Sequence, residues 1–247
     1  MTSFRRLAEV CERIEGISSS LAMTDEVASF LTELDEDELG VCPLMLMGRV
    51  FPEWMSLELG VGKSLLYSAL SSASGLSSTQ LDEVLREVGD VGITAERALA
   101  SRAQHTLLSS LGMEESLSVL EVYDTLKKVA HATGKGSQSQ KVRYLAYLFS
   151  SCTALEARYL ARLVMGEMRI GVGEGIMRDA IALAFDVSSE LVERAYMFTT
   201  DLGEVAMIAK RDGDEGLKGV SIQLFRPVKV MLAQITPSIS AAMGEMG

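Results

Sequence analysis

The chain has 247 residues, 48% hydrophobic and 23% charged, with 34 acidic against 23 basic residues and a net charge of −11. A composition of this kind buries one large core or two smaller ones and excludes a disordered chain. The negative charge excludes general attraction of the whole molecule to nucleic acid or anionic membranes, so any anion-binding role must rest on clustered basic groups.

The three cysteines, Cys11, Cys42 and Cys152, are far apart and odd in number, which fits reduced thiols filling the core of a cytoplasmic protein. His105 and His131 lie near neither a cysteine nor a carboxylate cluster at ligand spacing, so no metal is expected. The charged N-terminus precedes no apolar run, and no apolar stretch reaches the roughly 18 to 20 residues that spanning requires. A soluble, monomeric, intracellular chain without a membrane partner is expected.

Helical periodicity places helices at about 3–15, 25–34, 41–49, 62–74, 78–87, 90–101, 117–132, 138–150, 154–166, 174–185 and 188–210. Ser118 with Glu121 reads as a capping box ahead of the run through Leu126 and Val129. The one alternation of strand type is Val220 to Phe225, before Arg226 and Pro227. The fold class is therefore all-α with a short strand-like C-terminal lead-in.

Sliding the sequence by 111 positions aligns Gly60, Val61, Gly62, Ala69, Ala73, Ser77, Ser78, Asp90 and Gly92 with Gly171, Val172, Gly173, Ala180, Ala184, Ser188, Ser189, Asp201 and Gly203. These identities in register argue for internal duplication. Met47 and Gly48 correspond to Met165 and Gly166, but the first copy then carries seven more residues, among them Phe51, Pro52, Glu53 and Trp54. Two pseudo-symmetric multi-helix halves are expected, about 1–105 and 106–217 of a helical domain 1–217. Both Gly-Val-Gly turns could then share one face, as the two backbones of a duplex do.

A Gly-Val-Gly followed at once by a helix leaves backbone N–H groups open at a helix N-terminus, where donors and dipole favour a phosphate. The alternative is that the glycines serve close packing or a tight turn. Charge favours the first: Gly134 to Arg178 holds Lys135, Lys141, Arg143, Arg158, Arg162, Arg169 and Arg178 against Glu156, Glu167 and Glu174. The turn Thr133 to Lys141 offers further donors and reads as ending in an N-cap serine, with an ordinary interhelical loop as the alternative. Lys210-Arg211-Asp212-Gly213 matches the Lys-x-Asp-Gly signature of nucleotidyltransferases, but it ends a long helix with no strand on either side, so it is rejected as a nucleophile site.

Leu57 to Gly62, Gly89 to Gly92, Thr133 to Ser137 and Met168 to Glu174, with Glu156 to Arg162 and Leu191 to Tyr196, resemble the N-terminal DNA-binding domain of ATP-dependent DNA ligases of archaeal type. The resemblance implies an all-helical domain that grips the minor-groove face of nicked double-stranded DNA through phosphates, in DNA replication and repair. It implies contacts at Gly60, Gly62, Lys63, Lys135, Gly136, Ser137, Lys141, Arg169, Gly171 and Gly173, with Ser18 and Ser20 in a turn that lacks the usual lysine or arginine. Gly60 to Gly62 is expected to hold phosphate more weakly than Gly171 to Gly173.

The family's sliding-clamp motif corresponds to Gln104, Leu107 and Leu108, leucines replacing aromatics, with a polar connector as the alternative. Residues 218–247 resemble the linker and the start of a truncated adenylation domain. Its catalytic lysine is expected beyond residue 247, so the chain holds no catalytic residue or cofactor, and ATP and Mg belong to the parent ligase. A helical protein-binding adaptor is the alternative function, motivated by the net charge and the 14 methionines.

Overall fold

A computed structural model describes residues 1–103 and 117–229, together with Ser238, Ser240 and Met243. The described residues are all-α. Helix α1 (Phe4–Glu15) starts at Ser3, whose hydroxyl accepts from the Arg6 amide, and buries Phe4, Leu7, Val10 and Ile14. Helix α2 (Ser20–Glu33) starts five residues before its apolar periodicity indicates, because the Ser19 hydroxyl accepts from the Ala22 amide at 3.4 Å. Short α3 (Glu36–Leu39) and α4 (Cys42–Leu46) follow, then a 3-10 turn over Glu53–Met55.

The first half closes with α5 (Lys63–Ser74), α6 (Ser78–Val88) and α7 (Val91–Ala103). The second half runs α8 (Val119–His131), α9 (Ser137–Ser151), α10 (Ala154–Met165), α11 (Glu174–Phe185), α12 (Ser189–Thr199) and α13 (Leu202–Gly219). The expected capping box of α8 is present: Ser118 accepts from the Glu121 amide, and the Glu121 carboxylate accepts from the Ser118 amide. The single helix expected over 188–210 is divided, because Thr200 takes φ 51° and Asp201 caps a new helix by accepting from the Gly203 and Glu204 amides. Helix α13 kinks at Gly213 instead of stopping there. Val220 to Phe225 forms no strand; its alternating side chains meet no partner strand, and Ile222, Leu224 and Phe225 stand exposed.

The duplication is realised by exchange. Helix α5 of the first half lies along α9 of the second, and α11 of the second lies along α2 of the first; likewise α7 packs on α10, and α13 on α3 and α4. At the centre Ser3 and Ser118 form an antiparallel bridge, with the Phe4 amide donating to the Leu117 carbonyl (2.7 Å) and the Val119 amide to the Thr2 carbonyl (3.1 Å). Each helix start donates to the residue before the other's N-cap serine, so the two hydrogen bonds are related by a local pseudo-two-fold axis between Ser3 and Ser118. One continuous core, from Phe4 through Tyr159 to Leu217, serves both halves.

The repeated Asp-x-Gly has a packing cause. Asp90 and Asp201 cap α7 and α13, and Gly92 and Gly203 are the second residues of those helices. A Cβ at Gly92 would lie 2.7 Å from the Arg158 carbonyl oxygen, and one at Gly203 would strike the Gly40 backbone. Both positions need glycine because each half's last helix crosses the other half in backbone contact.

Candidate functional site

The two Gly-Val-Gly turns share one backbone geometry. Gly60 and Gly171 take φ 55° and 82°, in the left-handed region, while Gly62 and Gly173 are extended N-caps of α5 and α11 with no side chain capping the helix. Helix α9 begins in a similar way: its N-cap is Gly136 at φ 85°, again without a side-chain cap. Ser137, expected as the N-cap, is instead the first helical residue, because glycine alone takes the left-handed conformation that enters α9 without strain. Most other helices carry a Ser, Thr or Asp cap on this pattern, as Ser3, Ser19, Ser77, Ser118, Thr153 and Asp201 do. These three glycine-started helices therefore present first-turn amides unclaimed by an N-cap side chain, with the positive end of the dipole behind them.

The two turns flank one seam. Gly48 and Gly166, equivalent in the repeat, take φ 78° and 70° and approach each other closely. A cleft of ≈ 540 Å³ on one side of the seam is lined by Gly48, Gly60, Val61 and Gly166. A second, of ≈ 410 Å³, is lined by Met47, Gly166, Arg169, Gly171 and Gly173. The two clefts meet at Gly166.

The charges around the turns differ from the sequence expectation. Lys141 reaches from α9 to the first turn, donating to the Leu59 carbonyl at 2.5 Å and to the Gly60 carbonyl at 3.4 Å. At the second turn the neighbour of Gly171 is Met23 of α2, which occupies there the place that Lys141 holds at the first. Arg169, the cation expected to strengthen the second turn, pairs with Glu167 at 2.5 Å and lies 3.9 Å from Asp90. The geometry therefore gives the first turn the unpaired cation, against the expectation that the second is the more basic.

Lys63, first in α5, pairs with Asp82 at 2.7 Å and lies 5.1 Å from the Tyr67 ring centre. Ser18 and Ser20 stand exposed at the start of α2, beside the capping Ser19.

Three arginines of the basic stretch serve the fold. Arg162 is 3% exposed and donates to Glu15 (3.0 and 3.1 Å), to Asp90 (3.1 Å) and weakly to the Met168 carbonyl (3.5 Å). Arg158 pairs with Glu96 at 2.5 Å, and Arg178 with Glu193. Together with Tyr159, which donates to Glu15 at 2.7 Å, Arg158 and Arg162 tie α10 to α1 and α7. Burial works to raise the Glu15 and Asp90 pKa values, but the donors and charges of Arg162, Tyr159 and Arg158 at Glu15, and of the Ile93 amide and Arg162 at Asp90, together outweigh it and hold both carboxyls below their usual range. Sequence reasoning counted these arginines as surface charge, because a helical stripe does not reveal which side faces an acidic neighbour.

The remaining basic residues of this region behave differently. Among the described residues, Lys127, Lys128, Lys135, Lys141 and Arg143 form no ion pair, and Arg143 lies 5.7 Å from the Tyr144 ring centre. These five run along the end of α8, the connecting turn and the start of α9.

Lys210 donates to the Leu34 carbonyl at the end of α2, a placement that satisfies an orphan helix acceptor and suits the negative end of the dipole. Among the described residues no three His, Cys, Asp or Glu side chains could hold a metal ion together. Burial pushes the Cys11 and Cys42 thiols upward, as expected of core filler. Gln104, Leu107 and Leu108 lie outside the described residues. No described helix is long and apolar enough to cross a membrane.

Fold and site together define a duplicated, all-helical scaffold with three uncapped, glycine-started helix ends. The family model described as DNA ligase N terminus matches residues 3–182, and the chain belongs to that family. The DNA ligase of Methanococcoides burtonii is 46% identical over 255 residues, which cover 100% of this chain and 45% of that protein. That of Archaeoglobus fulgidus is 46% identical over 244 residues (98% and 43%), and that of Methanothrix thermoacetophila 50% over 245 residues (99% and 43%). The chain thus spans less than half the length of these relatives.

Proposed function

We propose that this chain binds nicked duplex DNA through its backbone phosphates, from the minor-groove side and without reading sequence, as the DNA-binding part of an ATP-dependent DNA ligase acting in replication and repair. The observation that carries this reading is the set of helices α5, α9 and α11, each starting at a glycine with its first-turn amides open. Gly60, Gly62, Gly136, Ser137, Gly171 and Gly173 bring amides to phosphate oxygens, and Ser18 and Ser20 add hydroxyls at the start of α2. Lys63, Lys135, Lys141 and Arg169 supply cations, backed by the unpaired Lys127, Lys128 and Arg143, and this local field offsets the net charge of −11.

ATP and Mg supply the nucleotide chemistry elsewhere in such a ligase; the residues here hold and orient the duplex. Gln104, Leu107 and Leu108 offer a weak anchor for a sliding clamp, and the chain works as a cytoplasmic monomer.

The test is binding of nicked duplex, measured by fluorescence anisotropy across salt concentrations. Phosphate neutralisation gives a log affinity falling linearly with log salt, equally on unrelated sequences. Absence of binding at low salt overturns the proposal.

A further inference from the structure

Shifted by 111 positions, Lys63 of the first repeat matches Glu174 of the second, and each is the first helical residue after an N-cap glycine. Charge is reversed at the equivalent place. Lys63 finds Asp82 within its own repeat, whereas Glu174 is answered from outside. Lys229, in the segment leaving α13, donates to Glu174 and, at 2.9 Å, to the Tyr196 hydroxyl; its backbone amide donates to the Met197 carbonyl at 2.9 Å. Three residues earlier, Arg226 lies 4.3 Å over the Trp54 ring and pairs with Glu204. Trp54 belongs to the seven extra residues of the first repeat, and just before them Arg49 pairs with Glu53 at 2.9 Å and Glu174 at 3.5 Å.

We propose that Lys229 is a positioning residue of the second glycine turn: the lead-in segment, clasped on Trp54, carries it to Glu174 and removes the negative charge that would oppose a phosphate at the start of α11. The inference rests on the DNA-binding reading above. With the segment docked, Arg49, Glu53, Glu174 and Lys229 sum to zero; with it away they sum to −1. A net negative charge there works against the open amides of α11. Partial burial alone would raise the Glu174 pKa, but Lys229, Tyr196 and Arg49 hold it below the usual range, so the carboxylate stays charged at neutral pH. Docking of residues 226–229 and occupation of the second turn therefore favour each other, and by linkage the coupling runs equally in both directions. The extra residues of the first repeat gain a purpose: they receive the chain that leaves the second.

A double-mutant cycle on the full 247-residue chain tests this with nicked duplex as the probe. Lys229→Ala weakens binding by roughly 2- to 5-fold, the range for a half-exposed ion pair. Glu174→Gln tightens binding, and in that background Lys229→Ala costs little. An equal loss in both backgrounds, with about one unit less salt slope, makes Lys229 a direct phosphate contact and overturns the positioning role. No loss on Lys229→Ala, while Arg169→Ala weakens binding, sinks the inference alone. If the unmodified chain does not bind, the DNA-binding reading falls and takes the inference with it.

Discussion

Gly92→Ala and Gly175→Ala form a matched pair, since each glycine is the second residue of its helix and takes a helical backbone. At Gly175 an added Cβ meets nothing within 4 Å. The substitution then expresses only helix propensity and reduced freedom of the unfolded chain, a gain of about 0.5 to 1 kcal/mol. At Gly92 the Cβ lies 2.7 Å from the Arg158 carbonyl oxygen, where ordinary contact begins at 3.4 Å, and as close to the Arg162 side chain. Arg162 cannot swing aside without breaking its buried ion pairs to Glu15 and Asp90. The helices must part instead, at an overpacking cost of about 1 to 3 kcal/mol, partly offset by the propensity gain. With about 2 to 4 °C per kcal/mol for a chain of this size, Tm falls by several degrees for Gly92→Ala and rises by a degree or more for Gly175→Ala. Thermal unfolding followed by circular dichroism measures both. A Gly92→Ala chain at least as stable as the parent would refute the claim that α7 and α10 cross in backbone contact.

Lys141→Met places at the first turn the residue type that stands beside Gly171 at the second, where Met23 of α2 is the neighbour. Loss of one neutralised phosphate reduces the salt slope of DNA binding by about one unit, and an unchanged slope excludes Lys141 from the phosphate contacts. Acid stability follows from Glu15, Glu38 and Asp90, whose pKa values are all lowered in the fold. Groups with depressed values contribute stability above their unfolded pKa and lose it as pH falls through the folded one. Tm should hold near neutrality and drop progressively below about pH 4.5. In Glu38→Gln the drop is shallower, because the donors from Thr2 and Asp35 no longer favour a charged partner; an identical acid profile would remove Glu38 from this account.

The long helices and the repeat were legible because apolar spacing and glycine position are properties of short segments. Helices α5 and α11, with their Gly-Val-Gly starts, stand where the sequence places them. What lay hidden depends on partners distant in sequence. Neither the turn of Arg158 and Arg162 toward α1 and α7 nor the pairing of Glu174 with Lys229 leaves a trace in local periodicity. The break at Thr200 was missed because Asp201 reads equally well as a helix interior residue until its carboxylate is seen accepting from two amides. Ser137 was misread for the opposite reason: a favourable capping residue stands one position after a glycine whose backbone already starts α9.

The exchange of helices around Ser3 and Ser118 bears on origin. Each Gly-Val-Gly helix, α5 and α11, is covered by a helix of the other half, the arrangement that two copies of one such half would make as an isologous pair. Joining the copies in one chain freed each from identity with the other. Lys141 could then stand opposite Met23, Lys63 opposite Glu174, and Trp54 in one copy alone. A fused pair, unlike a true dimer, can carry unequal sides, so each face of this fold is free to meet a partner that is itself unsymmetric.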